Sequence, residues 1–235
     1  MLDRRFTILS TASLPLERIE NIPNAVNVQI TPFTEIFPRT DEKIKTAVAE
    51  LSSKKLTVVF TSAHAVKIVA GFLSQKPKWK IYCIRNETRI AAVNWFGSES
   101  IARFASNALF LSQKIIADGI KDLVFFCGDQ RMDILPDNLQ KHGVHLTELI
   151  VYETRLTPEQ LIDKPDAILF FSPTAVRSFF SMNVLSPETI VFAMGTTTAK
   201  ALDQCTGNPV IISPQADKVF VFDMALQYAA SHPII

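Results

Sequence analysis

Apolar positions along the chain fall into two alternating textures: short apolar runs, many of them continuous, and longer stretches with apolar residues three and four apart. The short runs predict strands near 6–10, 26–31, 56–61, 80–84, 100–104, 122–127, 145–151, 167–171, 190–194 and 209–213. Several, such as Leu123-Val124-Phe125-Phe126-Cys127 and Ala167-Ile168-Leu169-Phe170-Phe171, show no polar alternation. Strands covered on both faces read this way, as in a parallel sheet with helices on each side. The intervening stretches have helical spacing, for example Ala65-Val66 with Val69-Ala70 and Leu73, and Ile134-Leu135 with Leu139. Ten strands alternating with helices predict an α/β protein of two doubly wound parallel-sheet domains, about five strands each.

The pattern also repeats. Val58-Val59-Phe60-Thr61-Ser62-Ala63-His64-Ala65-Val66-Lys67 lines up with Ile168-Leu169-Phe170-Phe171-Ser172-Pro173-Thr174-Ala175-Val176-Arg177, an offset of 110 positions. The same offset sets Ile81-Tyr82-Cys83-Ile84 against Val191-Phe192-Ala193-Met194, and Ile101 against Ile211. The segments near Leu111 and Val221 both read as helical. A register held this long implies two similar units in one chain.

Composition narrows the reading. A 48% hydrophobic content suits packed cores, and no stretch is apolar for long enough to cross a bilayer. The opening Met1-Leu2-Asp3-Arg4-Arg5 ahead of Phe6-Thr7-Ile8-Leu9 has too short and interrupted an apolar part for a signal peptide, so a first strand is expected. Net charge is +1 with no basic run, which argues against a nucleic-acid partner. Cys83, Cys127 and Cys205 form no spacing pattern, and two of them sit in apolar runs; buried thiols in a reducing cytosol are the economical reading.

Ligands of open α/β sheets collect at the carboxyl ends of strands, beside helix N-termini whose free N–H groups favour anions. Four such junctions carry hydroxyl or amide side chains: Thr61-Ser62-Ala63, Asn86-Glu87-Thr88, Ser172-Pro173-Thr174 and Gly195-Thr196-Thr197-Thr198. A hydroxyl there commonly only caps its own helix. Recurrence in both units, and three threonines where one cap would suffice, favour a further role. Arg131 in Gly128-Asp129-Gln130-Arg131 faces the same edge and suits a carboxylate; a plain surface role fits it equally. No G-x-G-x-x-G, P-loop or G-x-S-x-G is present, and the four histidines do not cluster at metal-ligand spacing. His142 and His145 flank Gly143 at an expected helix end. Phe104, Phe110, Trp79 and Trp95 are expected in the core.

An ordered series of motifs resembles the uroporphyrinogen-III synthase family. It comprises Phe60-Thr61-Ser62-x-x-Ala65-Val66, Phe126-Cys127-Gly128-Asp129-x-Arg131-x-x-Ile134-Leu135-Pro136, Val151-Tyr152-Glu153-Thr154, Phe170-Phe171-Ser172-Pro173-x-Ala175-Val176 and Gly195-x-Thr197-Thr198-Ala199-x-Ala201-Leu202. The repeat alone fits two tandem domains equally well. The resemblance implies instead that residues 1–33 and 155–235 form one flavodoxin-like domain and 36–153 the other. The crossings, near 31–36 and 151–155, would make a two-stranded hinge that lets the domains close on a ligand between them.

The resemblance further implies cofactor-free cyclisation of hydroxymethylbilane to uroporphyrinogen III in haem biosynthesis, with loss of water and inversion of the last pyrrole ring. It implies a cytoplasmic monomer without metal or membrane partner, with transient handover from the preceding pathway enzyme as a further partner. Because the pyrrole nitrogen lone pair can expel the hydroxyl, the main task is imposing one geometry, helped by a weak acid near the departing group. Tyr152 is the expected acid, a packing tyrosine being the plain alternative. Ser62, Thr88, Ser172, Gly195, Thr197 and Thr198 match positions that bind the tetrapyrrole, with Arg131, Arg177 and Lys200 as further cations by placement. The family commonly has a Gly-x-x-Thr turn where this chain has Arg85, which would hinder close backbone approach at Thr88 or itself pair with a substrate carboxylate. Two other classes fit the residues alone: a non-catalytic two-domain sensor of an anionic metabolite, and a structural or partner-binding protein whose hydroxyls are only caps.

Overall fold

A computed structural model describes residues 4–232. Among the described residues there are eleven strands: β1 (Phe6–Ser10), β2 (Val26–Ile30), β3 (Thr34–Pro38), β4 (Leu56–Phe60), β5 (Trp79–Ile84), β6 (Ile101–Ala105), β7 (Asp122–Gly128), β8 (His145–Leu156), β9 (Ala167–Phe170), β10 (Ile190–Ala193) and β11 (Val210–Ile212). The helices are α1 (Leu16–Ile19), α2 (Glu42–Ser52), α3 (Ala63–Gly71), α4 (Glu87–Phe96), α5 (Ala108–Ala117), α6 (Ile134–Lys141), α7 (Pro173–Phe180), α8 (Thr196–Leu202) and α9 (Lys218–Ser231), with a 3-10 turn at Ser98–Ser100.

The chain divides into two compact units. Unit 1 runs to Glu35 and resumes at Arg155; unit 2 is Ile36–Thr154. Unit 1 carries a five-stranded sheet, order β11-β10-β9-β1-β2, parallel throughout. The six-stranded sheet has the order β3-β8-β7-β4-β5-β6, with β8 through β6 parallel. The chain passes between units within β3 and within β8, which are neighbours in that sheet. β3 is the strand the apolar pattern does not predict: its sequence Thr34-Glu35-Ile36-Phe37-Pro38 ends on a proline, and none of its residues is buried.

The unbroken apolar runs are explained by two-sided burial. Val58, Phe60, Ile81, Cys83, Val124 and Phe126 pack on one face of the unit 2 sheet, under α2, α3 and α4. Val59, Tyr82, Leu123, Phe125 and Cys127 pack on the other, with α5 and α6. Unit 1 repeats the design. Ile8, Ala167, Leu169 and Phe192 meet α9 on one face; Leu9, Ile168, Phe170 and Val191 meet α7 and α8 on the other. The 110-residue repeat is therefore structural: β4 and β9, α3 and α7, β5 and β10, and α4 and α8 correspond. The pairing Phe60 with Cys83 matches Phe170 with Ala193.

Cys83 and Cys127 are buried, and burial pushes their thiols up to about 11 and about 12 respectively; Cys205 is exposed. Gly143, at φ +68°, follows the α6 C-cap residue His142, as the helix-end reading requires. The aromatic expectation holds only in part. Trp79 is buried beside Phe96 and Phe126, whereas Trp95 and Phe110 are each 50% exposed. Both sit on helices, where an aromatic residue at the edge of the apolar stripe reads like one at its centre.

Candidate functional site

The carboxyl edge of the unit 2 sheet gathers chemistry-bearing residues. β4 ends at Phe60, and Ser62 takes an extended backbone (φ −139°) to cap α3, its Oγ accepting the His64 N–H at 3.2 Å. That cap satisfies one of the free donors of the first turn. Tyr152, on β8, donates its phenolic O–H to the same Ser62 Oγ at 3.1 Å. With two bonds accepted, the Ser62 hydroxyl proton is left to donate elsewhere.

Glycine at 128 makes this approach feasible. β7 and β8 pair in register until an irregularity after Cys127, beyond which Gly128 faces Tyr152. A Cβ at Gly128 would overlap Cε2 and Cζ of the Tyr152 ring and come within 2.8 Å of its hydroxyl oxygen. Asp129 then fixes the opposing backbone: its N–H donates to the Tyr152 carbonyl (3.1 Å) and its Oδ1 accepts the Thr154 N–H (2.8 Å). The His64 ring lies edge-on to Tyr152, centroids 6.1 Å apart. Burial raises the Tyr152 pKa above the ordinary tyrosine value of 10.0, with the Ser62 hydrogen bond acting the other way. The phenol is thus a proton donor at neutral pH. Gly128, Asp129 and His64 were not singled out from sequence as parts of a site. A glycine ending an apolar strand, in a chain with only seven, was the available signal.

The second junctions of the two units are alike in kind but not in register. Gly195 caps α8 with φ +97°, a conformation suited to glycine. In unit 2 the left-handed residue is Asn86 (φ 68°), the cap of α4, and not Arg85, which the constant offset sets opposite Gly195. Asn86 takes this positive φ at ψ −136°, outside the αL well that asparagine favours, so the turn survives without glycine but displaced by one position and at some cost in backbone strain. The Arg85 N–H instead continues the sheet, donating to the Ala105 carbonyl at 2.7 Å. Thr88 and Thr198 are buried and Thr197 is exposed. What Thr88 and Thr198 offer a ligand is the N–H of their turns rather than an accessible hydroxyl.

Ser172 repeats the Ser62 cap, accepting the Ala175 N–H at 3.1 Å. Arg177, one turn on, donates to Thr174 Oγ1 at 3.2 Å. Lys200 is exposed in the last turn of α8. Arg131 is engaged within unit 2: Nε and Nη2 meet the two oxygens of Glu148 at 2.5 and 2.9 Å, and Nη1 meets Asp133. Those carboxylates hold its pKa above the ordinary guanidinium value, Glu148 contributing most. Among the described residues no group of three or more His, Cys, Asp or Glu is placed to hold a metal ion. No helix there is long and apolar enough to cross a membrane.

A family model described as uroporphyrinogen-III synthase HemD matches residues 24–218. The chain belongs to that family. Among solved structures, uroporphyrinogen-III synthetase from Helicobacter pylori superposes with a TM-score of 0.67, at 18% identity over 95% of this chain and 99% of that one. A mutant uroporphyrinogen III synthase from Thermus thermophilus gives 0.63, at 13% identity over 96% and 99%. At these identities the likenesses establish the fold, two α/β units built on parallel sheets. A search of curated proteins finds no match.

Proposed function

We propose that the protein cyclises hydroxymethylbilane to uroporphyrinogen III, with loss of water and inversion of the last pyrrole ring. The observation that carries this reading is the Tyr152 phenol, held protonated and 3.1 Å from Ser62 Oγ above Gly128, in a chain of this family. In the proposed reaction the pyrrole nitrogen lone pair pushes out the terminal hydroxyl, to which Tyr152 donates a hydrogen bond as it leaves as water. The cation left behind is delocalised over the ring, so little further acid or base work is needed, and geometry decides which carbon closes the macrocycle.

The substrate bears eight carboxylates while the protein carries a net charge of only +1. Binding is accordingly assigned to local donors: the hydroxyls of Ser62, Ser172 and Thr197, and the turn N–H groups at Thr88 and Thr198, with Gly195, whose own N–H is given to the Ala193 carbonyl, shaping the second of those turns. Arg177 and Lys200 add exposed positive charge, and Arg131 contributes only if substrate displaces Glu148 or Asp133. We place the domain limits at 1–33 with 155–235 and at 36–153, and read the chain as a cytoplasmic monomer receiving substrate from the preceding enzyme. The deciding experiment mixes the protein with freshly prepared hydroxymethylbilane and identifies the isomer formed. Uroporphyrinogen III is expected; binding without chemical change would replace this reading with a sensor of anionic metabolites.

A further inference from the structure

The outer half of the unit 2 carboxyl edge holds a hollow beyond Ser62, largely apolar in its lining and rimmed by cations. Its walls are Arg85 at the end of β5, Ala105 and Ser106 at the end of β6, and Phe110, Gln113 and Lys114 of α5, enclosing about 470 Å³. Two features hold its cations in place. Sheet pairing extends through the Arg85 N–H, which fixes where that side chain departs. Lys114 Nζ donates to the Phe104 carbonyl at 2.8 Å and lies 5.9 Å from the Phe104 ring, whose other neighbour is the Arg89 guanidinium at 4.2 Å.

These cations are uncompensated. Arg4, Arg18, Arg39, Arg103 and Arg131 all meet carboxylates, whereas among the described residues none comes within ion-pair distance of Arg85, Arg89 or Lys114. Beside them stands the half-exposed Phe110 ring, an apolar face at the rim of a charged hollow. A guanidinium, an anchored ammonium, a serine and an aromatic face suit a carboxylate on a short arm of a flat ring.

Position supplies the link to the reaction. Along this edge the strands run β8, β7, β4, β5, β6, so Tyr152, Gly128, Ser62, Arg85 and Ser106 follow one another in that order. Three inter-strand steps, ~14 Å in all, separate Arg85 from the Tyr152 strand. A chain of four rings with carboxylate arms bridges that span. Resting on the functional reading above, we infer that Arg85 and Lys114 form an anchoring subsite for side-chain carboxylates of the tetrapyrrole, holding a ring distant from the one that reacts at Tyr152.

The test uses the full chain carrying Arg85→Gln with Lys114→Met, and as charge control Lys54→Gln with Lys78→Gln at the amino ends of β4 and β5. Two readouts are taken: KM and kcat with hydroxymethylbilane, and the Kd of uroporphyrin I, an octacarboxylate that needs no turnover. The subsite predicts that KM and Kd both rise roughly tenfold, the scale of two exposed ion pairs, with kcat within about twofold and the charge control unchanged. Unchanged KM and Kd in an enzyme that still makes uroporphyrinogen III overturn the subsite and leave the functional reading intact. Equal weakening by the charge control also overturns it, assigning the effect to net charge. If the wild-type protein makes no uroporphyrinogen III, the functional reading fails, and uroporphyrin Kd alone decides the subsite: weaker binding by the variant supports it and equal binding overturns it.

Discussion

The two sheets share one junction and part company on the strand beside it. Ser62 and Ser172 sit 110 positions apart, each extended in backbone and each accepting an N–H from the first turn of its helix. On the neighbouring central strand the resemblance stops. In unit 1, β1 ends in Ser10 and is followed by Thr11, both fully buried, their hydroxyls donated to the carbonyls of Ala12 (2.6 Å) and Leu169 (2.7 Å). In unit 2, β7 ends in Cys127 and Gly128, and the space a side chain would fill is taken by Tyr152. The recurring serine is thus a capping device in both units. Its capacity for chemistry in unit 2 comes from what the other unit lacks, a glycine and a phenol facing each other across a strand pair.

The sharpest way to break that contrast is to restore a side chain at Gly128. Gly128→Ala must move the Tyr152 ring or the β7 backbone, and overpacking of this kind costs about 1–3 kcal/mol of stability. Because the ring loses its place over Ser62, turnover should fall at least as far as in Tyr152→Phe. For Tyr152→Phe itself we expect a loss of at least roughly tenfold in kcat, about 1.4 kcal/mol of transition-state stabilisation, with the fold intact. Urea unfolding alongside single-turnover kinetics distinguishes the two variants: one loses stability and activity, the other activity alone. A Gly128→Ala enzyme with normal turnover, or a Tyr152→Phe enzyme forming product normally, would remove the pair from the mechanism.

The frame common to the two units was legible in the chain; the contrast between them was not. Apolar runs located β1, β2, β4 and the strands after them, most sharply in β7 and β9, where burial on both faces leaves a mark at nearly every residue. The offset between Ser62 and Ser172 located the caps because helix starts draw on few residue types. β3 left no such mark, since its residues are half-exposed and a proline ends it. Register within turns was also illegible. Arg85 aligns with Gly195, yet the left-handed residue is Asn86, because a one-residue displacement of a turn changes φ and ψ without altering the apolar pattern on either side. The Gly128–Tyr152 approach joins residues 24 apart through strand pairing, a relation that local spacing does not encode. Engagement of Arg131 by Glu148, on the neighbouring strand β8, is hidden for the same reason.

A milder perturbation sharpens the comparison between the two serines. Ser62→Ala and Ser172→Ala each remove a cap acceptor, so each should lower stability by about 1 kcal/mol. Only Ser62→Ala also removes the acceptor of the Tyr152 phenol, so it alone should change kcat, by a few-fold and less than Tyr152→Phe does. Ser172→Ala should act on KM if it acts on catalysis at all. Equal kcat losses in the two variants would mean that both serines serve the reacting ring, and the asymmetry argued from Tyr152 would be lost.

The smallest expected effect is one of pH, and its sign follows from burial. Tyr152 and Tyr82 both have raised pKa values, Tyr152 chiefly through burial and Tyr82 pushed up to about 12 by burial and by its 2.7 Å hydrogen bond to Asp118. A raised folded-state value means that the native protein holds these protons more tightly than the unfolded chain does. Their contribution to stability is therefore fully present below the unfolded tyrosine pKa of about 10 and is lost as pH rises beyond it toward the folded values. The Tyr152 phenol likewise stays protonated, so kcat should show no decline assignable to it between about pH 7 and pH 9. Tyr82→Phe lacks one of the two titrating phenols, so its urea midpoint should fall less steeply above about pH 10 than that of the wild type. A basic limb in kcat below about pH 9 that disappears in Tyr152→Phe would show instead that the phenol ionises early, and that its surroundings in unit 2 favour the anion over the acid.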